Sequence, residues 1–85
     1  MDLKEEDKRI RMMRIVVDLN LQTIATDPNM SLEDALNQVE TVKKFVLSLF
    51  PEKENAFELI LRPRFMRVIK ERFLQSQIKE FENEF

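Results

Sequence analysis

The sequence contains no cysteine, histidine, glycine, tryptophan or tyrosine. Without cysteine there is no disulfide and no thiolate metal site, and without histidine there is no imidazole base or metal ligand. Without glycine the chain lacks the loops that cradle phosphate groups and the turns that need a positive φ. We therefore predict a protein that is not an enzyme and has no catalytic residues, no cofactor, no metal site and no small-molecule substrate.

Long apolar runs and a strong excess of one charge are also missing. The 85 residues include 14 basic and 16 acidic side chains, for a net charge of −2. No apolar segment approaches the ~18 residues that a membrane span requires. The first seven residues are mostly charged, unlike a secretory signal peptide. We expect a single soluble, cytoplasmic domain over residues 1–85 with no membrane association.

A helix is predicted from about residue 3 to residue 26. Its main apolar stripe has helical spacing and consists of Ile10, Met13, Val17, Leu21 and Ile24. A second group widens the apolar arc to roughly 200° and consists of Met12, Ile15, Val16 and Leu19. A helix that is apolar over so wide an arc has to be covered on more than one side. It is either the central helix of a bundle or an oligomer contact.

Prolines at positions 28, 51 and 63 separate the remaining apolar-periodic segments. Ser31 and Asp34 form a capping box for a second helix at about 32–50. Pro51 suits the first position of a short third helix at 52–61, with Phe57, Ile60 and Leu61 as its stripe. Pro63 then begins a fourth helix at about 64–82. One long helix kinked at Pro63 is the alternative, and two separate helices are preferred.

The predicted fold class is therefore all-α. It is a small bundle of three longer helices and one short helix, packed up and down and completed by oligomerisation. The fourth segment carries one stripe formed by Phe65, Met66, Ile69 and Phe73, and a second stripe rotated from it by about 120°. A single straight helix cannot turn both stripes toward one flat surface, so its second half either wraps another element or leaves the domain.

The apolar excess predicts an interface. Its candidate residues are the second stripe of the last helix and the widened arc of the first: Leu74, Ile78, Phe81, Phe85, Met12, Ile15 and Leu19. The commonest arrangement of such a patch is a twofold homodimer, and a helix laid into the groove of another protein is the other form. The alternative is that the last helix packs back on the first.

A basic strip lies between residues 62 and 72. It consists of Arg62, Arg64, Arg67, Lys70 and Arg72, opposed by Glu71 alone. Such a strip could bind phosphates, with the last helix as the reading helix of a helix-turn-helix-like element. However, base-reading Asn and Gln residues are absent from positions 56–74. The strip could instead pair with the acidic residues of the first two helices, or with an acidic protein.

Taken together, these patterns predict a non-enzymatic helical module for protein–protein interaction or self-assembly, with a homodimer as the expected form. The alternative is a nucleic-acid-associated protein that uses the basic strip. Salt distinguishes the two, since a nucleic-acid complex weakens steeply with salt and an apolar helical interface does not.

Overall fold

The computed structural model describes residues 3–74, and within that range all of the regular secondary structure is helical, with no strand. Helix α1 is Leu3–Thr26 and helix α2 is Leu32–Leu49. Helix α3 covers residues 54–74 without a break, in four pieces: α-helical Glu54–Ala56, π-helical Phe57–Leu61, α-helical Arg62–Ile69 and π-helical Lys70–Leu74. The predicted all-α class is confirmed.

The turn between α1 and α2 is held by local hydrogen bonds. The Asp27 carboxylate accepts a hydrogen bond of 2.9 Å from the backbone N–H of Asn29. The Ser31 hydroxyl oxygen accepts from the Asp34 N–H at 3.0 Å, and the Asp34 carboxylate accepts from the Ser31 N–H at 3.2 Å. This is the capping box that the sequence predicts, and it satisfies two backbone donors at the start of α2.

The predicted break at Pro63 is wrong, because Pro63 lies inside α3. A π-helical turn immediately precedes it, in which the Arg62 N–H donates to the Phe57 carbonyl five residues earlier. Proline has no N–H to donate, and its ring crowds the carbonyl four residues before it. The wider turn makes room for that ring, so the helix continues and the described chain has three helices instead of four. The predicted extension beyond residue 74 lies outside the described residues.

Pro51 also differs from the prediction. It lies in a turn that follows α2, where the Lys53 N–H donates to the Phe50 carbonyl at 3.1 Å. Proline is favoured at the second position of such a four-residue turn because its φ is already fixed near the required value. The third helix therefore begins at Glu54, two residues later than predicted.

Contacts between the helices show their relative directions. Gln38 donates a side-chain hydrogen bond to Asn20, which joins α2 to the second half of α1. The start of α3 meets the second half of α2 through Glu58 and Lys43. The end of α3 meets the end of α1 through Arg72. The chain therefore runs up, down and up, with α3 parallel to α1.

One hydrophobic core lies where the three helices meet. Its buried residues are Val17 and Ile24 of α1, Ala35, Val39, Val42 and Val46 of α2, and Phe57, Phe65 and Ile69 of α3. No polar side chain is buried among the residues that the structure describes. None of the helices in this range has the length and apolar character needed to cross a membrane.

Candidate interaction surface

Helix α1 has an inner face and an outer face that are both apolar. The inner face includes Val17 and Ile24, which are buried in the core. The outer face consists of Met12, Ile15 and Leu19, whose exposed fractions are 50%, 60% and 60%. At 3.6 residues per turn, these three positions are centred roughly 150° around the helix from the inner face. Three of the predicted interface residues therefore share one open surface.

The outer face is open because both neighbouring helices contact the other side of α1. The three helices surround a shared core, so α1 has neighbours on one side only within the described part of the chain. Contiguous apolar side chains on a surface are candidates for an interaction site. The predicted interface residue Leu74 is also exposed, on the last turn of α3. Ile78, Phe81 and Phe85 lie outside the described residues.

Arg62 of the basic strip points toward α2 and takes part in an ion-pair network. Its Nε lies 2.5 Å from a Glu58 carboxylate oxygen, and its Nη1 lies 2.8 Å from the Glu40 carboxylate. The guanidinium also sits over the Phe57 ring, 5.7 Å from the ring centroid. The contacts with Glu58 and Phe57 lie within α3, and the contact with Glu40 joins α3 to α2, so Arg62 stabilises the bundle.

Lys43 extends the same network from α2. Its ammonium group lies 2.6 Å from the Glu58 carboxylate and 3.3 Å from that of Glu54. Hydrogen bonds from Arg62 and then from Lys43 lower the pKa of Glu58 to about 2. The same hydrogen bonds to Glu58 raise the pKa values of Lys43 and Arg62. A carboxyl group held ionised in this way cannot supply the proton that general-acid catalysis requires.

Arg72 is the second member of the basic strip that turns inward. Its guanidinium donates hydrogen bonds to the backbone carbonyls of Ile24 at 2.6 Å, Met30 at 3.4 Å and also Asp27. These carbonyls belong to the end of α1 and the turn that follows, where backbone acceptors lack helical partners. Arg72 therefore fastens the end of α3 to the end of α1, as a cationic group at a helix C-terminus is expected to do.

The other three members of the strip are Arg64, Arg67 and Lys70, and all three are exposed. Arg64 lies 3.8 Å from the Asp18 carboxylate, and both side chains are mostly open to solvent. Such an exposed pair contributes little stability. The structure thus divides the five basic residues into two that hold helices together and three that face outward.

An exposed apolar pair on the π-helical turn of α3 was not predicted from the sequence. Leu59 is 78% exposed, and Ile60, which was assigned to an inward stripe with Phe57 and Leu61, is 67% exposed. The wider turn changes the angular spacing, so a pattern based on 3.6 residues per turn fails there. Pro63 was the sequence signal for this irregular turn. Its ring crowds the carbonyl of Leu59, four residues earlier, and so disfavours a regular α-helical turn there.

Beside this turn lies a shallow groove of about 340 Å³. Its apolar lining comes from all three helices and from the residue that follows α2, and it includes Ile10, Met13, Val46, Phe50, Ile60 and Leu61. Glu6 and Lys53 supply its charged groups. Nowhere in residues 3–74 do three or more acidic side chains gather as potential metal ligands. The lining of the groove is therefore mainly hydrophobic.

No protein-family model, curated protein or solved structure matches this chain. Its function therefore has to be inferred from the surfaces described above.

Proposed function

We propose that the protein is a helical protein–protein interaction module that self-associates as a homodimer through the outer face of α1. The observation that carries this proposal is the exposure of Met12, Ile15 and Leu19 on one side of a single helix. Full burial of such a side chain is worth about 1.5–3 kcal/mol. A twofold dimer covers this face on both copies, so six half-exposed side chains favour association by about 4–9 kcal/mol, which is comparable with the costs of binding and suits a concentration-dependent dimer.

The arrangement of charges supports binding over catalysis. Glu58, Arg62 and Lys43 neutralise one another between α2 and α3, and Arg72 is engaged by backbone carbonyls. Titratable groups in such ion pairs and hydrogen bonds stabilise the packing of the helices, and none of these four is an activated acid or base. The features that remain on the surface are apolar or simply charged, which is the character of a contact surface.

Light scattering across a range of concentrations tests the homodimer, with the wild type compared against Ile15→Glu. We expect the wild type to approach a dimer mass and Ile15→Glu to remain a monomer, because the added charge would be buried in the contact. Glutamate is a good helix former, so α1 and the helical circular dichroism should be preserved.

Leu59→Glu is the matched control, since it places the same charge at an exposed apolar position on α3. It should leave the dimer mass unchanged. A wild type that stays monomeric at every concentration would refute the homodimer. A dimer that withstands Ile15→Glu but dissociates in Leu59→Glu would move the contact to α3 and refute the role of the outer face.

Nucleic-acid binding is the second candidate, favoured by the exposure of Arg64, Arg67 and Lys70 along α3. It is weakened by the loss of Arg62 and Arg72 to contacts within the bundle. Three phosphate contacts correspond to a slope of about −3 for log affinity against log salt. Salt therefore separates this candidate from the apolar dimer, whose mass should change little with ionic strength.

A further inference from the structure

We propose that the outer face of α1 is covered by α1 of a second copy that runs antiparallel to it and crosses it close to Ile15. This arrangement rests on the proposed self-association and adds the orientation and the contacts of the partner. The evidence for the antiparallel orientation is the distribution of charged and apolar side chains along α1.

Charge is unevenly distributed along the helix. The end of α1 that precedes the outer face, residues 4–11, carries four basic and three acidic side chains, and those near the outer face are Lys4, Lys8, Arg11 and Glu5. The half that follows Ile15 carries a single charged side chain, that of Asp18. In a parallel dimer, Lys8 would lie across from the partner's Lys8, and like charges in such positions destabilise a helical pair. An antiparallel dimer places the basic end of one helix against the acidic half of the other.

The apolar residues suit a twofold axis near Ile15. Reversing one helix about this point brings Ile15 close to the partner's Ile15 and sets Met12 against the partner's Leu19. The axis repeats each contact, so Leu19 meets the partner's Met12. The outer face is therefore complementary to itself, as an isologous interface requires.

Arg11 and Asp18 add matching charges along one edge of this contact. They are seven residues apart, so they lie on the same side of the outer face, and both are exposed. In the antiparallel arrangement Arg11 lies beside the partner's Asp18, and Asp18 beside the partner's Arg11. Asp18 stays accessible, because its 3.8 Å contact with Arg64 leaves its carboxylate largely open to solvent. A parallel pair would set Arg11 and Asp18 against the partner's Val16 and the partner's Thr23, which carry no charge.

Disulfide trapping tests the relative orientation of the two α1 helices. The natural sequence has no cysteine, so only the introduced cysteines can form protein–protein disulfides. Met12→Cys and Leu19→Cys are mixed in equal amounts with oxidised glutathione and analysed by non-reducing mass spectrometry. A disulfide needs Cα atoms about 4.4–6.8 Å apart. In the antiparallel dimer the two Met12 positions are separated by about 10 Å along the helices. We therefore expect the disulfide that joins Met12→Cys to Leu19→Cys to be about ten times as abundant as the disulfide between two copies of either variant.

Asn37→Cys, at an exposed position on α2, measures the background from random collision. Homodisulfides of Met12→Cys and of Leu19→Cys would refute the antiparallel orientation and leave the homodimer intact. A dimer by light scattering with cross-linking no greater than that of Asn37→Cys would refute contact through this face. A wild-type monomer would instead refute the proposed self-association itself.

Charge reversal provides a readout that keeps all three apolar residues in place. Arg11→Asp and Asp18→Arg should each raise the dimer dissociation constant about fivefold to tenfold, since two ion pairs become repulsive contacts. The double variant should return it to within about twofold of the wild type. Arg9→Asp makes the same charge change at an exposed position about 160° or more around α1 from Arg11 and Asp18, and it should have a smaller effect. Failure of the double variant to recover would overturn the Arg11–Asp18 pairing.

Discussion

The two faces of α1 have similar side chains and opposite surroundings. Val17 and Ile24 are buried among α2 and α3, whereas Ile15 and Leu19 of the same helix are more than half exposed. The difference arises because a bundle of three helices gives each helix neighbours on one side only. The amount of apolar surface on a helix therefore does not by itself say which part is buried, and in the described residues the fold buries one face of α1 and leaves the other exposed.

The largest effect is expected from two separate variants, each of which replaces a β-branched residue of α1 with glutamate, at positions only two residues apart. Val17→Glu buries an unpaired carboxylate in the core and should lower the free energy of unfolding by about 3–5 kcal/mol, enough to unfold a small domain. Ile15→Glu should change it by no more than about 0.5 kcal/mol in the monomer. Urea denaturation followed by circular dichroism measures both. Equal losses of unfolding free energy in the two variants would contradict the assignment of Val17 to a buried face and Ile15 to an exposed face.

A smaller loss of stability is expected at the C-terminal end of α1, where Arg72 binds backbone carbonyls. Arg72→Met keeps most of the apolar stem but removes the hydrogen bonds to Ile24, Asp27 and Met30. We expect a loss of about 1–3 kcal/mol in the free energy of unfolding, because these acceptors lose a charged donor. Arg67→Met, at an exposed position on the same helix, should cost less than about 0.5 kcal/mol. Similar losses in the two variants would argue against a capping role for Arg72.

Acid gives the mildest test, and it acts on a contact that does not involve α1. The pKa of Glu58 is lowered from 4.5 to about 2 by Arg62 and Lys43. Its stabilising effect is therefore present above pH 4.5 and lost as the pH falls toward 2. Glu58→Gln should show a shallower decline in unfolding free energy across this range than the wild type. Glu33→Gln, at an exposed position on α2, serves as the control and should follow the wild type.

Local signals were enough to predict much of this architecture. The spacing of Val17 and Ile24 predicted the buried side of α1, and Ser31 with Asp34 predicted the start of α2. Both depend on residues within a few positions of each other. The continuous α3 was not predicted, because the π-helical turn before Pro63 is not visible in a pattern based on 3.6 residues per turn.

The candidate surfaces were predictable to different degrees. Met12, Ile15 and Leu19 were identified as an apolar excess from spacing alone, and the structure places them together on an open face. The division of the basic strip was not predictable, because Arg72 meets carbonyls more than forty residues away in sequence. Contacts of that range depend on how α3 lies against α1.

The π-helical turn in α3 also sets the rotational phase between the two halves of that helix. In a regular α-helix, Phe57 and Phe65 would point about 80° apart, yet both are fully buried in the same core. A π-helical turn rotates less per residue and so brings the two rings to one side. Phe57–Leu61 therefore behaves like a one-residue insertion absorbed within the helix. Deleting one residue there would leave a regular α-helix in which Phe57 and Phe65 are seven positions apart and only about 20° out of phase, so Arg72 would still face α1.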